Sequence, residues 1–246
     1  NNIMYQIYKF VFLLLLISGC TKNIDQTFQA SSLIKPNFDF SNHLIPCNLK
    51  KDANLLSLEN FFSNLVKDRF YYENNFDLLI YFPKTSYVNK FIINIQNNSI
   101  EDIYSTIIKD LSLKGFDEIA YCNFNSNKLE GLILLNYQNT DKVSFNTTEI
   151  LYCNYNASYN YGTFSVAMDR FLNQMSSLNI PYSVLYLQDN TSPDSFIWIN
   201  NFYNEDYSQE ITDRWINTTE AKEIKDEFLE NAECIESDIY NAFIIN

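Results

Sequence analysis

The chain has 246 residues, 46% hydrophobic and 16% aromatic, which is enough apolar material for one large domain or two small ones. Its formal net charge of −13 argues against nucleic acid and anionic headgroups as partners, since both need basic patches. A single histidine, His43, removes Ser-His-Asp triads, His-rich metal sites and a His-ligated haem unless that one residue serves them.

The first element in chain order is the apolar run Phe10-Val11-Phe12-Leu13-Leu14-Leu15-Leu16-Ile17, preceded by Lys9 and followed by Ser18, Gly19 and Cys20. A basic residue, a short apolar stretch and small residues at a cut make a secretory signal. The run is about half of the roughly 20 residues needed to span a bilayer. Ile17-Ser18-Gly19-Cys20 resembles a bacterial lipobox. That resemblance implies a signal peptide over residues 1–19, cleavage before Cys20 and lipid attachment to its thiol. Thr21 follows, not Asp, which in Gram-negative lipoproteins implies transfer to the outer membrane. The expected address is the bacterial cell envelope, lipid-anchored in the outer membrane and facing the periplasm or the exterior. Residues 20–42, polar and without a clear period, read as a tether. His43 is expected to cap the start of the folded domain.

The folded part alternates strand and helix signals. Leu58, Phe61, Phe62, Leu65 and Val66 give a helical face, and Leu78 to Tyr81 and Phe91 to Asn94 give strands. Ser99 with Asp102 begins a second helix, whose apolar face is Ile103, Ile107 and Leu111. Leu129 to Leu135 is a strand, and Asn136 to Lys142 a linker. Ile150 to Tyr155 opens the next series. Thr163 is the expected N-cap of a helix with Phe164, Ala167, Met168, Phe171, Leu172 and Met175 on one face. Tyr182 to Leu187 and Phe196 to Ile199 are strands around a polar hairpin loop, Asp189 to Asp194. Trp215, Ile216, Ala221, Ile224 and Phe228 mark a long or broken helix, and Ile239 to Ile245 a closing strand.

The two series share a register. Pro46-Cys47-Asn48 is echoed by Tyr152-Cys153-Asn154 at an offset of 106 (153 − 47). The same offset places Ser57-Leu58 on Thr163-Phe164, Leu65-Val66 on Phe171-Leu172, Leu78 to Tyr81 on Val184 to Leu187, and Phe91 to Asn94 on Ile197 to Asn200. Toward the end it grows to 112 (234 − 122), pairing Cys122 with Cys234. The expected fold is therefore α+β: two tandem βαββαβ repeats, over residues 43–136 and 146–246, each a ferredoxin-like split βαβ. Each sheet would carry helices on one face, and its bare face would be covered by the other copy, the two sheets closing into a barrel. The whole resembles the dimeric α/β-barrel group built as one chain. It also resembles a loose set of bacterial proteins with an aromatic-Cys strand, a Gly before the first helix and a later Cys before the last strand. Tyr152-Cys153-Asn154-Tyr155 with Tyr161-Gly162 carries that likeness most specifically, and the first repeat departs from it with Leu55-Leu56.

Four cysteines remain beyond Cys20, at equivalent positions in the two repeats. Export would place them where disulfides persist. The repeat favours Cys47–Cys122 and Cys153–Cys234, and four buried free thiols are the alternative. No CxxC pair points to a metal, and no cofactor is called for. Glycine is too scarce for a GxGxxG turn or a P-loop. Asp117-Glu118 and Glu205-Asp206 read as solvated loop acids. The better lead is aromatic. Tyr152, Tyr155, Tyr159, Tyr161, Tyr186 and Trp198 gather around one sheet, where Tyr152, Tyr155, Tyr161, Tyr186 and Trp198 would line a ligand site or fill the core. With no motif for chemistry, the expected function is a non-enzymatic, lipid-anchored binding or interaction module, touching the membrane through its anchor and a small apolar ligand or an envelope protein. The alternatives are a structural envelope protein and an enzyme of the cofactor-independent monooxygenase or isomerase kind. The enzyme would act on a small aromatic or apolar substrate in the barrel, as the α/β-barrel resemblance implies.

Overall fold

Strands that alternate apolar and polar residues must bury one face, and those that alternate two apolar sets must bury both. The chain follows the second pattern, and its computed structural model shows why. The structure describes residues 34–84, 89–99, 103–137, 147–178, 180–203 and 211–245. In the first half the order is β1 (Phe40–Leu49), α1 (Leu55–Leu65), α2 (Arg69–Glu73), β2 (Phe76–Pro83), β3 (Lys90–Asn97), α3 (Tyr104–Leu113), β4 (Ala120–Cys122) and β5 (Leu129–Leu135). In the second it is β6 (Thr147–Tyr155), α4 (Tyr161–Leu178), β7 (Tyr182–Gln188), β8 (Ser195–Phe202), α5 (Thr219–Asn231) and β9 (Ala232–Ile244), with a π-turn at Thr212–Ile216 before α5. Cys20, the apolar run and most of the tether lie outside the described residues. β1 begins at Phe40, three residues inside the segment read as tether.

The fold is α+β. Eight antiparallel strands close into a barrel in the ring order β1-β3-β2-β9-β6-β8-β7-β5, with the short β4 also on β1. Within each half the last strand pairs with the first, the first with the third, and the third with the second. The halves join by edge pairing, β2 to β9 and β5 to β7. The two sheets thus close into the expected barrel, one continuous ring hydrogen-bonded at both seams.

Three cores result. One packs α1 and α3 on the outward residues of β1, β2 and β3, including Ile45, Ile80 and Ile93. A second packs α4 and α5 on β6, β7 and β8. The third holds buried residues of strands alone, from both halves, and is the barrel interior: Phe40, Leu44, Tyr81, Ile150, Leu187 and Ile199 are among them. Several buried polar side chains inside pair with one another, while Asn42 Oδ1 has no hydrogen-bond partner. Asn42 donates through Nδ2 to Asn94 Oδ1 at 2.7 Å, Asn94 donates to the Tyr81 hydroxyl at 2.8 Å, and Thr148 donates to Asn201 Oδ1 at 2.8 Å.

Helix starts follow capping chemistry. Asn54 Oδ1 accepts from Ser57 N at 2.9 Å, opening α1. The expected cap Thr163 sits inside α4, and Asn160 caps instead. Asn160 Oδ1 accepts from Gly162 N, while Thr163 Oγ1 accepts from Asn160 N at 3.0 Å, a reciprocal box. Among the described residues no helix is long and apolar enough to cross a membrane.

Candidate functional site

The alternation of β1 carries the site. Ile45, Cys47 and Leu49 face the helices, and two residues earlier the same face ends in His43. The imidazole is 8% exposed and stacks on Tyr104, the first residue of α3, with centroids 3.7 Å apart and planes 11° off parallel. Tyr104 is held in turn, its hydroxyl donating to the Phe124 carbonyl at 2.6 Å. Asn97, the last residue of β3, accepts at Oδ1 from Ser99 N and Ser99 Oγ at 3.0 and 2.9 Å, turning the chain over the strand end. Lys128 and Glu130 pair at 3.0 Å on the neighbouring strand. These six side chains line one cavity of about 470 Å³, with Phe38 and Phe40 among its apolar walls. An imidazole, a cation, a carboxylate and neutral hydrogen-bonding groups thus share a space of small-ligand size. Such a set can move a proton and hold the charge left behind.

The second half answers differently at the matching position. Cys47 corresponds to Cys153 through their pairing with Phe91 and Phe196, so His43 corresponds to Glu149. Glu149 accepts from Asn200 Nδ2 at 2.8 Å and from Ser237 Oγ at 2.9 Å. Asn200 Oδ1 accepts from Trp198 Nε1 at 2.6 Å and from the Tyr182 hydroxyl at 2.5 Å. The carboxylate is wired into a packed aromatic layer.

The five aromatic residues read as ligand-lining do not converge. Tyr152 alone faces the barrel interior. Tyr155, Tyr161, Tyr186 and Trp198 lie on the opposite side, between sheet and helices. There Tyr155 and Tyr186 share a hydroxyl hydrogen bond at 2.9 Å, Tyr161 packs on Tyr186 at 5.4 Å, and Trp198 packs on Phe164 at 6.0 Å. Burial holds the Tyr155 and Tyr186 phenols well above their ordinary range. They stay neutral and serve as packing groups with a satisfied polar tip. The disulfides are as expected. Cys47–Cys122 and Cys153–Cys234 are formed, each across a neighbouring strand pair, with Cα atoms 4.1 and 3.9 Å apart. His43 was placed at the start of the domain, yet it is built into a strand. The signal that would have found it is the period-2 series His43, Ile45, Cys47, Leu49, which sets the one imidazole on a core face. Among the described residues no group of three or more His, Cys, Asp or Glu side chains is placed to hold a metal ion.

No family model matches the chain. No curated protein matches its sequence. Solved structures do match its fold. A candidate monooxygenase from Lactobacillus acidophilus NCFM superposes with a TM-score of 0.50 at 11% identity, over 84% of this chain and 95% of its own. A candidate chlorite dismutase superposes with a TM-score of 0.54 at 7% identity, over 85% and 96%. The encapsulated DyP-type peroxidase of Mycobacterium smegmatis superposes with a TM-score of 0.52 at 6% identity, over 87% and 96%. At these identities the likeness is one of fold. These neighbours, each matched over about 95% of its own length, are described as enzymes, which overturns the expectation of a non-enzymatic binding module.

Proposed function

We propose that the chain is an enzyme acting on a small aromatic or apolar substrate without a bound cofactor, as a monooxygenase or isomerase does. The observation that carries the reading is the cleft itself: the only imidazole of the chain lines a cavity of about 470 Å³ beside Lys128, Glu130 and Asn97. Tyr104 and Phe40 offer ring faces to a planar body. His43 takes a proton from an acidic C–H or O–H of the substrate. The electron pair left on the substrate is either protonated at another carbon, which is isomerisation, or forms a C–O bond to dioxygen, giving a hydroperoxide that loses water and leaves a carbonyl, which is monooxygenation. The site is the cleft beside the barrel and not its interior, whose side chains pack on one another. A haem held through histidine would need His43, whose ring lies face to face with Tyr104, so the residues do not fit that group and no step uses it.

The proposal includes an address and an origin. The Ile17-to-Cys20 pattern supports a lipid anchor on Cys20 and residence in the bacterial envelope at the outer membrane. The shared strand order and the 106 offset support two tandem ferredoxin-like units, 43–136 and 146–246.

Oxygen uptake and substrate absorbance, followed with a panel of phenolic and enolisable aromatic compounds, test the activity. The wild-type chain turns over at least one compound, and His43→Gln lowers that rate by about 10²–10⁴-fold. Full activity in His43→Gln, or no turnover by the wild type, sinks the reading. Labelled palmitate entering the wild-type chain but not Cys20→Ser tests the anchor.

A further inference from the structure

A second cavity, of about 490 Å³, opens on the outer side of the first half, between α1 and the outward faces of β2 and β9. Its floor, Leu58, Phe62 and Ile80, is buried, whereas its rim is apolar and open: Leu55 is 46% exposed, Phe243 52% and Ile244 43%. Single exposed apolar side chains are ordinary, but a continuous rim over an apolar floor marks a binding surface.

The second half shows what closes such a space. At the 106 offset, Leu49, Leu55 and Ile80 correspond to Tyr155, Tyr161 and Tyr186. The ring of Tyr161 reaches from α4 onto Tyr186, which is tied by its hydroxyl to Tyr155. The first half has three aliphatic side chains at these positions, and among the described residues no ring contact joins α1 to a strand. α1 also stops at Leu65, whereas α4 continues to Leu178. The opening is therefore written into the sequence. One ionisable group lines it, Glu59, on the second turn's approach of α1. Among the described residues Glu59 makes no ion pair.

We propose that this cavity binds a small amphiphile, with an apolar body in the bowl and a protonated amine against Glu59. The charge selects the head group, and the volume suits a body of small-ligand size. The site is separate from the His43 cleft and does not depend on the reading given to it.

Calorimetric titration of the folded chain with decylamine, decanol and decyl sulfate, each below its micelle-forming concentration, tests this. Decylamine binds tightest, one molecule per chain. Glu59→Gln weakens decylamine about threefold to fivefold, the scale of an exposed ion pair, and leaves decanol unchanged. Leu55→Tyr installs the second half's ring at an exposed position and removes binding of all three. Thermal melting confirms that this variant folds, and Ser63→Phe is a second filling variant. Equal affinity for decylamine and decyl sulfate, no binding at all, or undiminished binding by a folded filling variant overturns the proposal.

Discussion

Gly131, on β5, has no room for a side chain toward the barrel interior. A Cβ there would stand 2.2 Å from Phe40 Cε2, 2.3 Å from Phe40 Cζ and 2.8 Å from Leu187 Cδ2. The Phe40 ring is buried and has little room to swing. Gly131→Ala should therefore cost about 1–3 kcal/mol in urea unfolding, as overpacking does. Phe40→Leu in the same chain should recover part of that loss, because the two sites are in contact. A Gly131→Ala chain as stable as the wild type would show that the ring moves freely. Residue-scale features were hard to read from sequence for a shared reason. Gly131 is one of few glycines without a turn signal around it, and its need comes from a ring on a strand 91 positions earlier (131 − 40). Asn42 and Asn94 carry no local signal, yet they form the hydrogen-bonded chain to Tyr81 inside the barrel. His43 was hidden by the assumption that the folded part began with it.

The elements themselves were largely legible, because their periods are local. Leu58, Phe62 and Leu65 are buried on α1 at the expected helical spacing, and Ile107 and Leu111 on α3. Two elements were misread, and both misreadings concern pairing. The third strands were aligned at the common offset of 106. Cys47 faces Phe91 and Cys153 faces Phe196, so the offset there is 105 (196 − 91). A one-residue slip exchanges faces, which is why Trp198 lies under the helices. The closing strand was expected from Ile239 but begins at Ala232. Its first residues, Glu233 to Asp238, are exposed and acidic and carry no strand period. They are strand because β6 pairs with them, with Tyr152 opposite Glu236 and Cys153 opposite Cys234, so that Ile235 is the extra residue of a bulge. The cysteine pairing was legible because it follows from the matching positions of the cysteines in the two series and not from the exact strand ends. Each disulfide closes a long loop, with 75 and 81 residues of separation. Removing either one by a Cys→Ser pair should lower stability by about 2–4 kcal/mol. Denaturant midpoints with and without reductant measure this, and unchanged midpoints would mean the bridges add nothing to the fold.

The whole molecule carries an alkaline liability. Burial raises the phenols of Tyr81, Tyr155, Tyr182 and Tyr186 above their ordinary value. The unfolded chain releases these protons near pH 10, whereas the folded chain keeps them. The unfolded state then binds fewer protons, so stability falls as pH rises. The contribution is complete below about pH 10 and is lost progressively above it. Thermal melting between neutral and strongly alkaline pH should show the loss, with tyrosinate absorbance rising in step with unfolding. Ionisation of all tyrosines ahead of unfolding would contradict the burial. At the scale of the molecule, closure into a barrel was legible from the bare sheet faces, but the way the ring is joined was not. Two apolar faces per sheet signal a hidden side, but whether sheets stack or join edge to edge is decided by β2 meeting β9 and β5 meeting β7, contacts between distant segments. That ring has a consequence in time. β9 is the last strand of the described chain, and it fills the gap between β2 and β6. As the chain is made from its N-terminal end, β2 keeps an unpaired edge until β9 is added. The first half is thus open to strand addition by other chains from the making of β2 until β9 is added. A folding helper that covers the β2 edge would act in that interval, after which the closed barrel offers it nothing to hold.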